Sequence, residues 1–149
     1  RSKPMLKAVW LAVASMAVLP ISALAAETND RRIKVKITAG SQVATATFIN
    51  NATKRALIAR FPLTVPMMDR YSRELVYRFP DALPANETTT SGYDVGEIVY
   101  WTPWHSFFIL YAQNGECISD LQKVGRIYSG VGALGNKGDT NVTFELLKE

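Results

Sequence analysis

Residues 33–38, Ile-Lys-Val-Lys-Ile-Thr, alternate apolar and polar side chains without a fault. A period of two puts every second side chain on one face of an extended chain, so this segment reads as a half-buried β-strand. Ala39-Gly40-Ser41 supplies turn chemistry and residues 43–49 resume as a β-branched strand, which together predict a hairpin. Residues 74–79 alternate again, with Leu75, Tyr77 and Phe79 on one face. Residues 98–101 and 106–112 predict two further strands around a corner holding Pro103, residues 124–128 a short one, and Val142, Phe144 and Leu146 a closing one. Residues 63–69 can be extended, although Pro66 makes them an edge or bent strand. One helix interrupts the series: Asn50-Asn51 can cap residues 52–61, with Ala52, Ala56, Leu57 and Phe61 near one face, and Pro62 ends it. Residues 80–92 hold two prolines and a polar run, so a long surface loop is expected. Many short strands with turns between them predict a mainly β fold, a closed or nearly closed antiparallel barrel of about eight strands with one short helix.

The front of the chain belongs to a different class of segment. Arg1, Lys3 and Lys7 precede an apolar run over residues 8–19, Pro20 breaks it, and Ala23-Leu24-Ala25 offers the small residues a signal peptidase requires. Residues 1–25 are therefore expected to be a signal peptide, with residues 26–149 as the mature domain. The rival reading is a membrane anchor, but the run only approaches bilayer length and carries a proline. Export to the periplasm or medium follows, with no stable membrane insertion after cleavage.

Removing the leader changes the charge. The chain has 17 Lys+Arg and 13 Asp+Glu, a net +4; three basic residues and no acid leave with the leader, so the mature balance is +1. Such a balance gives no support for nucleic-acid binding. Cys117 is the lone cysteine and His105 the lone histidine, so no intramolecular disulfide forms and the ligand sets of zinc, haem and iron–sulfur sites are missing. No metal or cofactor is expected.

Catalytic patterns are thin. His105 lies beside Ser106 in a predicted corner, where sequence neighbours do not face one another, so a structural or surface role is read for it. The glycines between residues 130 and 138 lack the Lys-Ser/Thr ending of a phosphate-binding loop. Three Asn-x-Thr triplets begin at Asn51, Asn86 and Asn141, of which only the second lies in an obvious exposed loop. What stands out is an excess of Met and aromatic residues. Phe107 and Phe108 are adjacent on one strand, so they cannot both enter the barrel interior unless the outer face is covered too; Met67-Met68 poses the same problem. A shallow apolar groove on one face of the barrel would accommodate both pairs.

The order of segments resembles the bacterial cyclophilin-like fold proteins. The residues that carry the resemblance are Asn51-Ala52-Thr53, Phe61-Pro62-Leu63 with Met67, Leu83-Pro84, the run from Val95 through Gly96 and Glu97 to Trp101, the run from Phe107 to Tyr111, and Val124-Gly125-Arg126-Ile127. The resemblance implies an eight-stranded barrel with a helix plugging one end, and by analogy a redox or flavodoxin-like partner. Typical cyclophilins carry a Phe-His-Arg strand and a Gln-Gly-Gly-Asp segment; neither string occurs here, and Arg126 does not align with their catalytic arginine. No catalytic residue is therefore assigned. The expected function is binding of a peptide or small apolar ligand in a groove built from Met67, Met68, Tyr71, Trp101, Phe108 and Tyr111, with Arg126 as an anchor for a carboxylate or carbonyl. The alternative is a weak peptidyl-prolyl cis-trans isomerase.

Overall fold

A computed structural model describes residues 32–148, and the leader expected over residues 1–25 lies outside them. The alternating segments form strands in the expected order. Strand β1 (Ile33–Ala39) pairs antiparallel with β2 (Gln42–Phe48) across a turn in which Gly40 takes φ 60°. Helix α1 (Ala52–Ile58) follows, capped by the Asn51 side chain, which accepts from Lys54 N at 2.9 Å. Asn51 Nδ2 donates to Lys123 O at 2.9 Å, so this buried amide ties the helix start to the barrel wall. The helix ends three residues before the expected Phe61. Arg60 N and Phe61 N bond three residues back, to Leu57 O and Ile58 O, tightening the last turn ahead of Pro62.

Strands β3 (Leu63–Arg70), β4 (Glu74–Arg78), β6 (Glu97–Trp101), β7 (Ser106–Leu110), β8 (Ile118–Ser129) and β9 (Thr140–Leu146) complete a ring. Its order is β2-β1-β9-β3-β4-β7-β6-β8, and pairing of β8 with β2 closes it. The result is a closed eight-stranded antiparallel barrel. Pro66 sits where β3 pairs only with β9, because pairing with β4 begins at Met68. That is an edge position, which tolerates a residue without an N–H.

Two segments depart from the sequence reading. The expected loop over residues 80–92 contains a short strand, β5 (Thr89–Ser91), which adds to β8 outside the ring. The strand expected over residues 124–128 runs from Ile118 to Ser129 instead. Its apolar residues Ile118, Leu121, Val124 and Ile127 are spaced by three, a period that hides a strand. Register shifts opposite Ile98/Val99 and Thr45/Ala46 insert extra residues and reset which side chains face inward.

Gly125 sits between Phe48 of β2 and Ile98 of β6. A Cβ there would come within 2.7 Å of Phe48 Cδ1 and closer still to the Thr47 carbonyl oxygen. Gly125→Ala is expected to cost about 1–3 kcal/mol through overpacking at the barrel seam. A urea titration checks this, and an unchanged midpoint contradicts it.

The core has two parts. Ile37, Phe48, Leu57, Leu75, Phe107, Ile109 and Phe144 fill the barrel, each fully buried. Val76, Tyr93, Val99, Phe108, Leu110, Ile118 and Leu121 form a second cluster, with Met68 and Trp101 packed against it. Apart from Tyr93, which lies between β5 and β6, this second cluster comes from strand residues facing away from the barrel interior, so it lies on the outer face. Phe107 and Phe108 are both buried, one in each layer.

Candidate functional site

Strand register builds a patterned surface on that outer face. Met68 of β3, Val76 of β4, Phe108 of β7 and Val99 of β6 are opposite one another across four neighbouring strands. This apolar row is flanked on one side by Arg70, Glu74 and Leu110, and on the other by Arg78, Ser106 and Trp101. A groove of about 480 Å³ runs over these rows, with Tyr71, Arg73, Asn114, Glu116 and Ile118 completing its walls. Its size falls in the range of small-molecule sites.

The walls are held by local structure. Arg73 N donates to Arg70 O at 3.1 Å, and Tyr71 and Ser72 between them take φ 59° and 49°. That left-handed pair matches the twist of a hairpin but is costly for residues other than glycine. It leaves the Tyr71 ring 80% exposed at the groove mouth. Across from it, Asn114 N donates to the Tyr93 hydroxyl at 2.9 Å and Glu116 N to Asn114 Oδ1 at 3.0 Å, which fixes the 113–117 loop. Trp101 Nε1 donates to Ser119 O at 2.9 Å, so the indole is oriented.

A buried ion pair sits at one end. Arg73 donates to Glu74 Oε1 at 2.5 Å and to Glu116 Oε2, and the Arg73 and Glu74 side chains are only 10% and 3% exposed. Two of their atoms, Arg73 Nε and Glu74 Oε2, are buried without a hydrogen-bond partner in the protein. Buried polar groups are normally paired, so two orphans on adjacent groove residues are unusual. Burial pushes the Glu74 carboxyl above its ordinary value, against the opposing pull of Arg73. Burial also works against the Arg73 charge, yet hydrogen bonds and charges from Glu74 and Glu116 outweigh it and raise its pKa.

Of the residues singled out from sequence, Met68, Tyr71, Trp101 and Phe108 line this groove together. Met67 is 1% exposed and belongs to the barrel core, as strand alternation requires once Met68 faces out. Tyr111 is also in the barrel core; its hydroxyl donates to Asp69 Oδ1 at 2.5 Å, and burial followed by that bond pushes its pKa up to about 12. Arg126 lies elsewhere, on β8, bonded to Asp94 at 2.6 Å and Glu97 at 3.5 Å. His105 is the left-handed cap of the 3₁₀ turn Thr102–Trp104, and its carbonyl accepts from Phe79 N at 2.9 Å. Among the described residues, no three His, Cys, Asp or Glu side chains come together as a metal site.

Sequence reasoning assigned no site role to Arg70, Arg73, Glu74, Arg78 or Glu116. Four of these lie in and around the alternating strand that identified β4, where outward charges read as a solvated face. Only the placement of the 113–117 loop beside that face makes them walls.

A closed eight-stranded antiparallel barrel with one helix is the architecture of a cyclophilin-like barrel. The chain belongs to the cyclophilin-like family, whose model matches residues 37–145. It is similar in fold to the hypothetical protein AF2241 from Archaeoglobus fulgidus, known from a solution structure. That likeness has a TM-score of 0.63 at 17% identity, over 78% of this chain and 95% of that one. No curated protein matches the chain.

Proposed function

We propose that this chain is an exported binding domain that holds a small apolar ligand in its outer groove and does no chemistry on it. The observation that carries the reading is the 480 Å³ groove floored by Met68, Val76, Phe108 and Ile118 beside an oriented Trp101, outside a barrel whose interior is filled. Export rests on the leader pattern of residues 1–25. A peptide side chain is the other occupant of matching size. A redox or flavodoxin-like partner rests on family analogy, and the near-neutral mature charge offers nothing to nucleic acid.

Trp101 supplies the test. Titration with apolar small molecules and with short peptides is expected to shift its emission for the small molecules. Met68→Ala and Phe108→Leu are each expected to weaken binding by about fivefold to tenfold. Val43→Ala, on β2 away from the groove, is expected to leave binding unchanged. Silence from both ligand classes removes the binding reading and leaves a structural role.

One observation favours weak prolyl isomerisation as a second reading. Arg78 lines the groove and forms no ion pair among the described residues, so its guanidinium is available to polarise a prolyl amide. A protease-coupled proline-peptide assay decides: rates at the uncatalysed level under micromolar protein discard it.

A further inference from the structure

The charges around the groove are more informative than its apolar floor. Arg70, Arg73 and Arg78 face Glu74 and Glu116, so three guanidiniums against two carboxylates leave one positive charge in surplus. The surplus has a location. Arg73 is taken up by both glutamates. Arg70 reaches Asp139 only at 3.8 Å, with both side chains largely in water, where such a pair contributes little. Arg78 has no acidic partner among the described residues and lies 4.6 Å over the Trp104 ring instead. Its position in the register, beside Ser106 and next to Trp101, puts it at the edge of the apolar row, with its side chain exposed and open to a ligand. A guanidinium resting over an indole and without an acidic partner keeps donors available for a planar, singly charged acceptor.

We infer that the groove is selective for a small apolar carboxylate, whose body covers Met68, Val76 and Phe108 and whose acid group is held by Arg78. This deepens the proposed function and rests on the groove being a ligand site. A monoanion brings the lining to neutrality. A cationic ligand would face three guanidiniums. The opposing feature is Glu74, but its Oε1 accepts from Arg73, whose positive charge offsets its repulsion of an anion. Glu116 is 55% exposed and its charge is screened by water.

Three probes of one shape separate the possibilities: 4-phenylbutyrate, 4-phenylbutanol and 4-phenylbutylamine, titrated into the full chain at neutral pH and followed by Trp fluorescence and calorimetry. The acid is expected to bind about tenfold tighter than the alcohol, as one charge-assisted hydrogen bond supplies. Arg78→Gln is expected to abolish that advantage while the affinity for the alcohol stays the same, and a circular dichroism spectrum confirms the variant is folded. Raising the salt should weaken the acid alone. If acid and alcohol bind equally, or the amine binds tightest, the carboxylate inference is overturned while the groove remains a ligand site. It is also overturned if the acid keeps its advantage in Arg78→Gln, because the anion is then held elsewhere. If no probe and no peptide binds, the proposed function fails with it.

Discussion

Arg73→Met is expected to destabilise the protein by about 3–5 kcal/mol, the usual cost of stripping one partner from a buried ion pair. The methionine fills the aliphatic space but leaves Glu74, whose side chain is 3% exposed, without its charged neighbour. Glu116 is more than half exposed and returns to water at little cost. Glu74 has no such escape, and its Oε2 already lacks a partner. The loss should depend on pH. The folded protein already holds the Glu74 carboxyl above its ordinary value of 4.5, with burial as the leading cause and Arg73 opposing it. A group raised in the folded state makes the fold bind more protons than the unfolded chain, so stability falls as pH rises through that interval. Removing Arg73 removes what opposed the rise and widens the interval. Urea unfolding at pH 4.5 and pH 8 is therefore expected to show the variant's deficit shrinking in acid; a deficit equal at both ends contradicts the account. Arg73→Met combined with Glu74→Gln should recover part of the loss at pH 8, since the orphan is then neutral.

The second large effect separates two adjacent phenylalanines. Phe107→Ala is expected to cost about 3–5 kcal/mol, because the ring is fully enclosed and its removal leaves a closed cavity. Its neighbours Phe144, at 5.0 Å between centroids, and Phe79, at 6.2 Å, belong to strands and loops that cannot collapse inward without breaking barrel pairing. Phe108→Ala is expected to cost less, about 2 kcal/mol, because the space it vacates opens into the existing groove and no sealed void forms. That variant should lose ligand binding while Phe107→Ala, where still folded, retains it. Equal stability losses, or a ligand response insensitive to Phe108, would show that the outer cluster is merely a second core.

Much of the barrel was legible because alternation is a local property. In β1, β4 and β9 each residue's parity assigns its face, and the structure keeps those assignments. β8 was legible only in part: bulges break the parity, so Ile118 and Leu121 could not be joined to Val124 by period alone. Within the groove, Met68, Tyr71, Trp101 and Phe108 announced themselves as apolar residues with no place in a single core. Arg73, Glu74 and Arg78 did not, because a charge on the outer face of a strand looks the same in sequence whether water or a loop lies over it.

The sequence by itself determined most of the ring strands, the faces of those without bulges and the need to cover apolar residues on both faces, since side-chain parity and turn chemistry act between near neighbours. Only the tertiary structure decided which strands are adjacent, that β8 closes on β2, and that the outer layer is left partly open as a groove with Arg78 at its edge. Those outcomes depend on pairings between residues far apart in the chain. Their register follows from how the whole barrel fits together, and no local pattern encodes it.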